Sequence, residues 1–301
     1  MLSKLVLNIS ISLLGVTVVA QNVILKSNKP IRAFQFKTDT IYYSNNDHLI
    51  IAKNNEKINT IYLGGYLLDF KLIDSKIHSL SNKYKLGQGT LRIFDLIEDK
   101  YSLVYKIEEN SPMLSYELLP LPNDSLAVAV SFNNGNLNWY YSSGSLVNQI
   151  GKFAKIRQIK KFNEHLFFCT DNGELFKTDG NSTNLIFKTN SKLMKFIVSE
   201  EMIFTIDDLG ILTKYNIANK IQNHIKISSE ILMDFISLNE NILVLGDWSG
   251  TLFIYDILNN EIISKKEGHN KMILKLQKRN NHEFLSSSQD GTIKNWNIMH
   301  L

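Results

Sequence analysis

The sequence predicts an all-β fold: a single seven-bladed β-propeller whose last blade is closed by the N-terminal strand. Three observations carry this. Turn anchors, mostly glycine, recur through the chain at near-constant spacing. An apolar residue follows each anchor at a fixed offset, and the last repeat lacks one strand that the N-terminal segment is free to supply.

The anchors are Gly89, Gly135, Gly173, Gly210, Gly250 and Gly291, with Asp47 in the equivalent place of a first unit. Their successive separations are 42, 46, 38, 37, 40 and 41 residues. Two positions on stand Leu49, Leu91, Leu137, Leu175, Leu212, Leu252 and Ile293. Five positions on, an aromatic occupies five units (Phe94, Tyr140, Tyr215, Tyr255, Trp296), with Ala52 and Thr178 in the other two. That register fits a third strand starting directly after a tight turn, with both faces buried between neighbouring units. An anchor of this kind needs positive φ, which Gly tolerates best and Asn or Asp next, so Asp47 is a permissible substitute.

The remaining strands fall around these anchors. Second strands read over 41–43, 77–80, 126–130, 166–168, 202–204, 242–245 and 284–285. Inner strands read over 31–34, 67–70, 113–116, 156–159, 193–196, 232–235 and 273–276. Outer strands, such as 57–62 and 261–264, complete four per unit. The seventh unit ends at Ile298 with no outer strand, and residues 21–26 precede the first inner strand without other employment, so they are expected to close the ring. Three of the four prolines lie between Pro112 and Pro122. They fit a bent inner strand with a loop better than a linker, leaving one domain over 21–301.

Residues 1–20 differ in character. Lys4 is followed by an uncharged, largely apolar run to Ala20, and Val18-Val19-Ala20 precedes Gln21. This pattern fits a secretory signal peptide cleaved after Ala20. The expectation is an exported protein, periplasmic or secreted, with no membrane span in the mature chain. The alternative is a cytoplasmic protein with an uncleaved N-terminus.

Composition narrows the function. The formal charge is +4 and only four residues are arginine (Arg32, Arg92, Arg157, Arg279), which leaves little for phosphate or base readout, so no nucleic-acid partner is expected. Cys169 is the sole cysteine, which excludes an intramolecular disulfide and a multi-cysteine metal site; its neighbours Leu166, Phe167 and Phe168 mark a structural thiol. The seven histidines are scattered singly without ligand spacing. No metal, cofactor or catalytic residue is expected.

The last unit is the richest in motif. It reads Gly268-His269, then Ser286-Ser287-Ser288, Asp290-Gly291-Thr292 and Trp296. In this it resembles a repeat of the WD-repeat β-propeller family, departing from it at Asn297, where the family usually has Asp. The resemblance implies a hydrogen-bonded set of His269, Ser286 (or Ser288), Asp290 and Trp296 that stabilises the blade, although the same residue types form hydrolase triads elsewhere. The sixth unit has Ser249 where the acid would sit.

The resemblance further implies a non-catalytic protein–protein interaction scaffold; taken with the N-terminal run, the expectation is such a scaffold or an accessory subunit of an exported or envelope assembly. The alternative is a propeller enzyme or small-ligand-binding propeller with a central-channel site. Candidate partner-binding residues are Trp248, at a turn tip, and Trp139 and Tyr141, at the end of a third strand. Asp69, Lys195, Asp234 and Lys275 share one inner-strand position, where they either line the channel mouth or pair with neighbours.

Overall fold

The computed structural model describes residues 16–54, 56–97, 100–120, 126–141 and 143–300. Within them the chain forms seven four-stranded antiparallel sheets. Six are built from consecutive strands, inner to outer. The seventh takes its outer strand, Val16–Lys26, from the N-terminal side and pairs it with Thr292–His300. The predicted ring and its closure are thus both present.

The closing strand starts at Val16, ahead of the expected boundary at Gln21; the earlier part of the expected signal segment lies outside the described residues. Its pairing runs from Val16 opposite His300 to Lys26 opposite Thr292, with a register shift between Ala20 and Asn22. No helix among the described residues is long and apolar enough to cross a membrane.

Burial explains why these sequences make blades. The hydrophobic core is seven clusters, and each draws on two neighbouring blades. Leu252 and Ile254 of blade 6 pack with Ile273 and Trp296 of blade 7, and Leu285 and Ile293 of blade 7 pack with Phe34 and Ile41 of blade 1. Second and third strands are therefore largely covered on both faces, and some, such as 202–204 and 242–245, read as continuous apolar runs.

Five turn anchors adopt the predicted positive φ: Gly135, Gly173, Gly210, Gly250 and Gly291. A Cβ on Gly135 would lie 2.0 Å from the Phe153 carbonyl oxygen, so close backbone approach reinforces the requirement. The first two anchors are corrected. In blade 1 the positive φ belongs to Asn46, not Asp47. In blade 2 the second strand runs on to Lys83 and a 3₁₀ turn, Tyr84–Leu86, carries the chain over, so Gly87 takes the left-handed conformation. Gly89 lies inside the third strand, where its missing side chain admits Met113 of blade 3. The first inner strand is Phe34–Lys37, three residues later than the expected 31–34.

The ring edges are managed by bulges. In five outer strands the pairing with the third strand skips one β-branched residue: Ile58, Val104, Val147, Ile186 and Ile263. A bulge in an edge strand breaks the ladder of free backbone groups that a second sheet would otherwise extend.

Candidate docking face

Strands within a blade alternate in direction. Consequently the second-to-third turns and the outer-to-inner connections all lie on one face of the ring, and the remaining turns on the other. Backbone bonds tie the first set together: Thr189 N donates to Gly173 O at 2.8 Å, Gly268 N to Gly250 O at 3.0 Å, and Ser27 N to Gly291 O at 2.7 Å. This is the connection face.

The last blade shows the expected network. His269 arrives on the connection from blade 6; its Nε2 lies 2.6 Å from Ser286 Oγ, and its Nδ1 lies 3.0 Å from both Asp290 Oδ2 and Thr292 Oγ1. Trp296 Nε1 donates to the same Ser286 Oγ at 2.7 Å. A serine oxygen that accepts from the indole donates its own proton to Nε2, which leaves Nδ1–H to donate to Asp290. His269, Ser286 and Trp296 are buried, and the hydroxyl that a nucleophile would need is enclosed by the blade. Burial opposes ionisation of Asp290, but the hydrogen bonds from His269 and Thr292 outweigh it and hold the carboxyl well below its ordinary range. Ser288 Oγ bonds instead to the Lys271 carbonyl at 3.0 Å, which makes Ser286 the network member.

Blades 5 and 6 replace this set with one that the sequence reading missed. Asp247, at the end of the second strand, accepts Ser228 Oγ at 2.7 Å, Ser249 Oγ at 2.7 Å and Thr251 N at 2.8 Å. Asp207 accepts Leu209 N at 3.0 Å and Ile211 N at 2.7 Å and bonds Ser191 Oγ. The available signal was an acid three residues before the anchor glycine in both blades, Asp207 before Gly210 and Asp247 before Gly250. Asp247 performs the capping task assigned to Ser249's position.

The shared inner-strand position resolves into pairs. A bulge precedes it in six blades. Lys195 Nζ meets Asp234 Oδ1 at 2.6 Å, and Lys275 Nζ meets Asp69 Oδ1 at 2.7 Å. Burial opposes ionisation of Asp69, and Lys275 overrides it, so that its carboxyl also sits low. Asp234 Oδ2 accepts Leu276 N at 2.7 Å and Gln158 Oε1 accepts Phe196 N at 2.7 Å, so these polar side chains stitch each blade to the next. Cys169 is fully buried and burial pushes its thiol up to about 12, as suits a structural residue.

The candidate binding aromatics separate. Trp248 is 47% exposed on the connection face. Trp139 is corrected: it is only 8% exposed and packs with Ile156, Ile159 and Phe168 between blades 3 and 4, because both faces of a third strand are covered. Tyr141 is 48% exposed at the other end of that strand, on the opposite face from Trp248. Tyr62, Tyr84, Leu86 and Leu209, which were not singled out from sequence, join Trp248 as exposed apolar groups of the connection face.

Ring and sheets together define a seven-bladed β-propeller, and its last blade carries the hydrogen-bonded set that the resemblance to the WD-repeat family implies. No family model matches the chain. Over 102 residues it is 36% identical to a WD repeat-containing protein 55 homolog of Dictyostelium discoideum. That match covers 31% of this chain and spans only 25% of the relative's length. Among solved structures it is similar to the computationally designed Ika8 protein, with a TM-score of 0.69 at 12% identity over 92% of this chain and 99% of that one, a likeness of fold.

Proposed function

We propose that the protein is a non-catalytic scaffold that docks a protein partner on its connection face. The observation that carries this reading is the Trp248 indole, held at a turn tip by the Asp247 cap yet half exposed. A bulky aromatic there gains little from folding and much from being covered by a partner. Turns fixed by buried carboxylates and close backbone contacts present a preformed surface, so little ordering entropy is lost on association. The test is cross-linked capture from native cells with tagged protein. A stoichiometric partner that is lost with Trp248→Ala supports the reading; bait recovered alone, or capture indifferent to Trp248→Ala, overturns it.

We further propose that the scaffold serves an exported assembly. The support is the Lys4-to-Ala20 run, together with a closing strand that still pairs through Asn22, Val23, Leu25 and Lys26 if the chain is cut after Ala20. N-terminal sequencing of native protein tests this: Gln21 as first residue supports it, and Met1 overturns it.

A further inference from the structure

The third position after the turn anchor is polar in four blades, and in three of these its side chain finds a hydrogen-bond partner nearby. Lys294 Nζ donates to the Gly268 carbonyl at 2.6 Å, Thr213 Oγ1 meets His224 Nδ1 at 2.9 Å, and Asn138 Nδ2 donates to Tyr140 Oη at 2.8 Å. Blade 2 has Arg92 at this place. It is only 8% exposed, and among the described residues its guanidinium makes one hydrogen bond, from Nη1 to Ser81 Oγ at 2.9 Å. Glu108, on the neighbouring outer strand, is taken by Lys106 at 2.6 Å and Lys83 at 3.8 Å. A guanidinium carries five donors, so a largely buried one with a single bond has most of its fork unused.

That fork has an opening. Arg92 Nη2 lies beside the connection between blades 1 and 2, where a Cβ on Gly64 would stand 3.5 Å from it and 3.8 Å from the Tyr62 ring. Gly64 and the following Gly65 leave this stretch without side chains, and aromatic rings flank it. Tyr62 is 65% exposed and lies 5.2 Å from the His48 ring, while Tyr66 lies 6.2 Å from Tyr84 on the other side. Arg32 stacks on Tyr66 at 4.9 Å and Lys85 sits in the adjoining turn, so the surroundings are cationic.

We propose that this depression binds a carboxylate from an extended acidic segment of the protein partner, with the Arg92 fork taking the carboxylate and Tyr62 and Tyr84 covering the flanking backbone. The inference deepens the docking-face reading and rests on it. A carboxylate offers two coplanar oxygens to the parallel N–H donors of the one guanidinium in the fork.

The test uses full-length protein and two fluorescein-labelled Gly/Ser peptides, one with spaced glutamates and one with glutamines in their place. The expected result is binding of the glutamate peptide about tenfold tighter at low salt, a difference removed by Arg92→Gln and only partly restored by Arg92→Lys. Because Arg92 is buried, Tyr62→Glu provides a second variant: at an exposed site it places a competing carboxylate beside the fork and is expected to abolish the preference with unfolding unchanged. Equal affinity for both peptides, preference for a phosphoserine peptide, or a preference that survives Tyr62→Glu overturns the proposal. Partner capture that survives Tyr62→Glu but fails with Trp248→Ala overturns the carboxylate site and leaves the docking reading standing.

Discussion

Ser286 Oγ accepts the indole proton of Trp296 at 2.7 Å while lying 2.6 Å from Nε2 of His269, so one hydroxyl joins a connection residue to two strands of blade 7. Removing that hydroxyl orphans two buried ring nitrogens at once. Ser286→Ala is expected to cost about 2–4 kcal/mol, seen as a lower denaturant midpoint with an unchanged slope. A loss below half a unit on that scale would mean that the network contributes geometry alone.

Asp290 carries an acid-sensitive share of this stability. Its carboxyl titrates lower in the folded chain than its ordinary value of 3.8, so its contribution is complete above that pH and is lost as pH falls through the folded value. Asp290→Asn should cost about 1–3 kcal/mol at neutral pH and flatten the decline below pH 3.8. Urea titrations at stepped pH measure both.

His78 acts in a higher window. It is buried in blade 2 with neither ring nitrogen hydrogen-bonded among the described residues, and burial, with Lys71 and Lys76 nearby, lowers its pKa from 6.5 to about 4. Between those values the unfolded chain takes up a proton that the folded chain refuses. Stability therefore falls with falling pH there, by at most about 1.4 kcal/mol per pH unit. His78→Leu should remove this slope while leaving the Asp290 window in place.

Trp139 and Trp248 should respond in opposite ways. Trp139→Ala opens a cavity between blades 3 and 4 and is expected to cost about 3–5 kcal/mol. Trp248→Ala, at an exposed turn tip, should shift stability by less than about 0.5 kcal/mol and act on partner capture alone. Thermal unfolding of the two variants side by side decides it.

Closure of the ring concentrates on Leu25, which is buried with Ile293, Leu285 and Phe34. Leu25→Ala should cost about 2–4 kcal/mol, and a chain starting at Gln21 should retain most of the full chain's stability. A chain starting at Ser27 should lose the cooperative unfolding transition.

Much of this architecture was legible because its causes are local. A positive φ at Gly135, Gly173, Gly210, Gly250 and Gly291 restricts residue type at one position, and the offset to Leu or Ile follows from strand alternation. Where local cause and spacing diverge, the reading slipped. The longer hairpin of blade 2 moves the turn to Gly87 and leaves Gly89 to make room for Met113. Trp139 looked like a strand-end aromatic, but a blade hides both faces of its third strand. Asp247 escaped notice because it caps from the preceding strand and not from the turn. Arg92 had no linear signature at all, since what sets it apart is the partner that its spatial neighbours fail to supply.

The seam between Val16–Lys26 and Thr292–His300 joins the first of the described strands with the last. Until Thr292–His300 is in place, Val16–Lys26 has no neighbour to pair with, and its row of free backbone groups faces solvent. Each nascent molecule must therefore wait as an open arc, and its slowest contact spans nearly the whole chain. During that wait the seam is the place where a chaperone would be most useful and where a strand from a second copy would most readily intrude.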